Sequence, residues 1–219
     1  MLANTFATLS AGLVLGMLHA FDPDHVMAIS AMSSERPGLR RSLRYCAHWA
    51  LGHGGVLLLS ALLLFGLGIR LPEVLQVSAE AGVGVVLIII GMLCFWRFHQ
   101  QHCQSQHRQN QHCQSQHCHQ ADTAGRRTPT LVGMLHGLAG SASALALVPI
   151  IGQTRLTVAL GYILVFSIGV LLSMMTFGLG FGLLQRQLRQ FNQRLFQYSR
   201  YAIASGSVLL GSYWMVQSL

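Results

Sequence analysis

The 219-residue chain contains no lysine and only six acidic residues: Asp22, Asp24, Glu35, Glu73, Glu80 and Asp122. Charged residues make up 9% of it, whereas a soluble domain usually carries about 25%. Without lysine there is no Gly-x4-Gly-Lys loop to cradle a phosphate, so nucleotide hydrolysis of that kind is excluded. No other catalytic motif appears, and the chain is expected not to be an enzyme. The five cysteines all lie before residue 119, so residues 130–219 have no thiol to offer a duplicated electron carrier. The N-terminus lacks the positive region of a signal peptide and is expected to be retained.

Charge is absent in long runs. Residues 1–21, 45–69, 81–96, 128–154, 156–185 and 201–219 contain no Asp, Glu, Lys or Arg. A bilayer-spanning helix needs about 20 apolar residues. A soluble bundle would alternate apolar and polar faces, whereas these segments are apolar all round. The expected fold is an all-α integral membrane protein with six transmembrane helices, at roughly 4–30, 45–68, 75–96, 130–152, 157–184 and 201–218.

The formal net charge of +8 comes from 14 arginines gathered between these segments, so it does not imply nucleic acid as a partner. Arg36, Arg40, Arg41 and Arg44 follow the first span. Arg97, Arg108, Arg126 and Arg127 separate the third from the fourth, and Arg186, Arg189, Arg194 and Arg200 separate the fifth from the sixth. Only Arg70 and Arg155 fall on the other side. Cytoplasmic loops carry the excess of Lys and Arg. Both termini are therefore expected outside a bacterial cytoplasmic (inner) membrane.

Gly-Met-Leu-His occurs at 16–19 and 133–136, and Phe-Gly-Leu-Gly at 65–68 and 177–180. Their matching order suggests a 3+3 duplication. Three spans per half is an odd number, so the halves would insert as an inverted repeat, a common transporter architecture. The expected organisation is a first half at 1–97, a His/Cys/Gln-rich cytoplasmic loop at 98–129 and a second half at 130–219. The halves differ chemically, since Asp22 to His25 align with Ala139, Gly140, Ser141 and Ala142.

The ionisable groups inside the first span stand out, because such groups are costly in a bilayer and by default functional. His19, Asp22, Asp24 and His25 lie within seven residues, interrupted by Pro23. Proline has no N–H for the carbonyl of His19, and it pushes Asp22 out of the α region. Asp22 then reads as a helix cap and Pro23 as the first residue of a new helix. The first span is expected to break at Asp22-Pro23, which frees His19 and His25 from the ~120° separation of a continuous helix. Imidazole with carboxylate suits Ni, Co, Zn or Fe, whereas Mg and Ca prefer oxygen alone. His48 and His53 in the second span and His136 in the fourth are further candidate ligands, although each alone would equally serve as a hydrogen-bonding helix contact.

His19-x4-Asp24-His25 resembles the His-x4-Asp-His signature of the nickel/cobalt transporter family. Leu51-Gly52-His53 resembles its Leu-Gly-His motif. His136-Gly137-Leu138-Ala139-Gly140-Ser141 resembles the second half of its shorter six-span, urease-accessory-type membrane relatives. The resemblance implies a metal path through His19, Asp24 and His25, assisted by His53.

Residues 98–121 read as a disordered tract with His99 and candidate ligands His102, Cys103, His107, His112, Cys113, His117, Cys118 and His119. Such tracts bind borderline metals without the ordered spacing of a structural zinc site. The expected function is transport of Ni2+ or Co2+, in a direction the sequence leaves open. The expected partners are the lipid bilayer, the divalent ion and a cytoplasmic metallochaperone, with no permanent cofactor. The alternatives are a membrane redox protein, carrying haem or thiol electrons, and a metal sensor or accessory subunit that does not transport.

Overall fold

The computed structural model describes residues 2–35, 37–68, 72–107, 124–139 and 156–218, and all its regular elements there are helical. Helix α1 is Leu2–His19 and α2 is Pro23–Glu35; α3, Leu39–Ala61, continues through a π turn at Leu62–Gly66. Then come α4 (Glu73–His107), α5 (Ala124–Leu138), α6 (Leu156–Phe191) and α7 (Gln193–Gln217).

The break in the first span falls where Pro23 requires it, and α1 and α2 meet at an angle of 54°. The carbonyl of His19, deprived of its helical donor, accepts the Asp22 N–H at 3.0 Å and the His25 ring nitrogen Nδ1 at 3.1 Å. Between α6 and α7, the Asn192 side chain accepts the N–H groups of Arg194 and Leu195 at 2.9 and 3.3 Å. That cap ends α6 and starts α7 with a single non-helical residue between them.

Leu39–Gly66, Val77–Gln100 and Leu156–Phe191 are each long and apolar enough to cross a membrane, and α1 and α2 qualify together as one bent span. Apolar side chains including Phe6, Leu51, Leu131, Leu172 and Leu209 point outward from the bundle. An outward apolar surface on several spanning helices is what lipid covers. The protein is a multi-pass, all-helical membrane protein. Two expected spans are not matched in this way. Helix α7 carries Gln, Arg, Ser and Tyr along its length, and the expected continuation of the fourth span to residue 152 lies outside the described residues.

The expected loop at 98–129 requires correction at both ends, since α4 runs on to His107 and α5 starts at Ala124. Extending a helix that already exists costs far less than nucleating one, so Gln and His continue α4 without an apolar stripe.

Three helix pairs approach closely at glycine. A Cβ on Gly16 would strike the carbonyl of Phe166, and one on Gly169 would lie 2.5 Å from that of Leu13. Gly12 and Gly16 meet Tyr162 and Phe166 in the same order, so α1 and α6 run parallel. Helices α3 and α5 repeat the arrangement, with Gly52 against the Thr130 carbonyl and Gly133 against that of Trp49. Helices α4 and α7 cross antiparallel, with a Cβ on Gly84 2.8 Å from the Gly211 carbonyl and one on Gly211 2.6 Å from that of Gly84. Small residues allow such backbone contact between membrane helices.

Helix α2 leaves α1 and packs on α7, α4 and α3. Its C-terminal end is held by Arg97, which pairs with Glu35, and by Arg200, whose Nε donates to the Ser34 carbonyl at 3.0 Å. Residues from the ends of three expected basic segments therefore meet at one end of the bundle.

Candidate metal centre

Four imidazoles converge in the interior. His19 closes α1, His25 sits in the first turn of α2, His53 lies within α3 and His136 near the end of α5, and all four are buried. Ring centroids of His25 lie 4.7 Å from His19, 5.3 Å from His53 and 5.3 Å from His136. The bend at Pro23 is what brings the first pair together.

The hydrogen bonds assign the ring protons. His25 Nδ1 faces the His19 carbonyl, and His136 Nδ1 faces the Val132 carbonyl at 2.8 Å. A carbonyl only accepts, so each Nδ1 carries the hydrogen and each neutral ring keeps a lone pair on Nε2. Those two nitrogens lie 3.9 and 3.8 Å from the same oxygen, Asp24 Oδ2, beyond hydrogen-bond distance. Two ring nitrogens and a carboxylate oxygen thus face one another in a buried space. A cation between them would find nitrogen and carboxylate donors together.

A second set overlaps the first. Asp22 Oδ2 lies 2.7 Å from His19 Nδ1, and neither His19 nitrogen makes a well-aligned hydrogen bond among the described residues. His19, Asp22 and His25 each place a ligand atom within 4.8 Å of the others. The Asp22 side chain is 36% exposed and that of Asp24 11%. The outer set therefore reaches the surface of the bundle and the inner set does not. His25 belongs to both.

Trp49 and Phe166 wall the cluster and were not singled out as sequence candidates. The Trp49 indole stacks on His53 at 5.0 Å and 14° and meets His25 edge-on at 4.8 Å. Phe166 lies 5.5 Å from His19. Trp49 had a legible signal, being one helical turn before His53 on the same face. Phe166 stands to Trp49 by the same step along the chain that relates His136 to His19, so the internal repeat pointed to it.

His48 is not brought in. Its Nδ1 faces the Arg44 carbonyl at 2.8 Å within its own helix. His102, Cys103 and His107 lie on the α4 backbone, but their side chains lie outside the described residues, as do His112, Cys113, His117, Cys118 and His119.

The family model described as cytochrome c biogenesis protein transmembrane region matches residues 13–206. The urease accessory protein UreH of Bacillus sp. (strain TB-90) is 31% identical over 193 residues, covering 86% of this chain and 84% of that relative. No solved structure matches. By the extent of both matches, the chain belongs to the family of the cytochrome c biogenesis protein transmembrane region and is similar to urease-accessory-type membrane proteins.

Proposed function

We propose that the protein moves a divalent transition-metal ion, Ni2+ or Co2+, across the bacterial cytoplasmic membrane through the buried His/Asp cluster. The observation that carries this reading is the convergence of His25 Nε2 and His136 Nε2 on Asp24 Oδ2. Nitrogen with carboxylate oxygen is a donor set for borderline transition metals, and the carboxylate offsets the ion's charge where an unpaired one would be prohibitively costly. An ion entering at Asp22 meets His19 and His25 first. Because His25 belongs to both sets, it can hold the ion while Asp24 and His136 replace Asp22 and His19. The relative named as a urease accessory protein supports a nickel-related membrane role.

The proposed architecture is six spans in a 3+3 inverted repeat with both termini outside. The glycine contacts support it. One step along the chain takes Gly16 to Gly133 and Trp49 to Phe166, and Gly133 meets Trp49 as Gly16 meets Phe166. The contact of Gly84 with Gly211 is reciprocal, each facing the other's carbonyl. Parallel contact of spans one with five and two with four, and antiparallel contact of three with six, is what inverted halves produce. A cytoplasmic metallochaperone is the proposed partner on the arginine-rich side.

The family match also bears on the redox alternative. Cys46 packs against Gly178 of α6, while Cys94 donates to the Ala31 carbonyl of α2 at 3.4 Å. These thiols lie in separate contacts, and residues 130–219 contain no cysteine. The imidazole rings touch one another, leaving no slot for a porphyrin plane between them. The metal reading fits the residues better.

The test is labelled Ni2+ accumulation in cells lacking their own nickel systems, with empty vector, wild type and His25→Ala. Accumulation raised by wild type and not by the variant identifies an importer using this cluster. Accumulation lowered by wild type alone identifies an exporter. Equal accumulation in all three, repeated with Co2+, defeats the proposal.

A further inference from the structure

A histidine that binds metal normally has its ring fixed by a hydrogen bond from its other nitrogen. His25 and His136 obey this rule, through the His19 and Val132 carbonyls. His19 has Asp22 beside it. His53 has no such anchor among the described residues: both its ring nitrogens are buried and neither has a hydrogen-bond partner there. What holds its ring is a flat stack on Trp49, 5.0 Å between centroids and 14° between planes.

Resting on the transport reading above, we infer that Trp49 is the positioning residue for His53 and thereby sets the ion affinity of the buried site. The indole is fully buried. It meets His25 and His136 only edge-on, at 4.8 and 5.6 Å, and those two rings have their own carbonyl anchors, so the flat stack serves His53. An imidazole that has donated its lone pair to a cation becomes electron-poor, and the electron-rich indole face attracts it more strongly than the empty ring. The stack therefore favours the loaded site over the empty one. His53 is also where the two halves differ, because the chain step that takes Trp49 to Phe166 takes His53 to Val170. The second half keeps the aromatic wall and lacks the ligand that the wall supports.

The test is Ni2+ binding to the detergent-solubilised full-length protein by calorimetry. The component lost in His25→Ala defines the buried site and separates it from binding by the His/Cys tract. Trp49→Leu, His53→Ala and the double variant are compared in a cycle. Trp49→Leu is expected to weaken the buried site about 10-fold, the usual effect of losing an outer-shell support. The double variant is expected to bind no more weakly than His53→Ala alone. Trp49→Phe, which keeps a flat ring, restores most of the affinity and guards against a simple failure to fold. Unchanged binding in Trp49→Leu, or penalties that multiply in the double variant, overturns the inference while leaving the transport reading intact. Identical binding by wild type and His25→Ala overturns both.

Discussion

Gly133 has a neighbour that cannot yield. A Cβ there would strike the backbone carbonyl of Trp49, and a main-chain atom cannot rotate away as a side chain can. Gly133→Ala must therefore separate α5 from α3, the two helices that carry His136 and His53. Overpacking of this kind costs about 1–3 kcal/mol. Gly55 is the control, with nothing within 4 Å of an added Cβ. Gly55→Ala is expected to be neutral or stabilising, since glycine in a helix interior costs up to about 1 kcal/mol relative to alanine. Thermal unfolding in detergent compares the two, and equal destabilisation would refute the close approach. The same residue-level view explains His48. One turn of α3 separates it from the Arg44 carbonyl it meets, and that local partner was available whatever the tertiary fold.

Among the elements, α2 is the one whose placement decides the site. It starts at the proline break and carries Asp24 and His25 inward. Two arginines hold its far end, in different ways. Arg97 and Glu35 are partly exposed, with side chains 38% and 22% accessible, and such pairs contribute less than about 1 kcal/mol. Arg200 is buried, lies 3.8 Å above the Phe98 ring and donates to the Ser34 carbonyl near the end of α2. Its loss leaves a buried carbonyl short of a donor, which costs about 1–3 kcal/mol. Arg200→Gln is thus expected to lower the unfolding temperature more than Arg97→Gln. The reverse order would mean that the exposed pair, not the buried cap, secures α2. The extension of α4 to His107 was not legible from periodicity, because a helix already formed needs no apolar stripe to continue.

For the whole molecule, the arginine distribution and the contacts agree. Arg97 and Arg200 meet the end of α2, beside the turn that leads to Arg40, Arg41 and Arg44. The ends of all three basic segments thus meet on one side of the bundle, which by the positive-inside rule supports the proposed cytoplasmic placement of that side. A membrane-impermeant thiol reagent applied to intact cells is expected to leave Cys113 and Cys118 unlabelled, and to label them after permeabilisation. Labelling in intact cells would invert the proposed orientation.

Membrane insertion, the break at Pro23 and the donor chemistry of His19, Asp24 and His25 were determined by the sequence alone. Each follows from a local cause: the length of apolar runs, a missing N–H, and residue type. Only the tertiary structure decided which other histidines join them. His53 and His136 come from distant helices whose approach depends on glycine contacts at Gly52 and Gly133. His48, as plausible by composition, turns to its own backbone. Trp49 stacks on His53 within α3, but its contacts with His25 and His136 require α2 and α5 to converge on that helix. Such convergence is a property of packing between helices, and helical periodicity within one segment does not encode it.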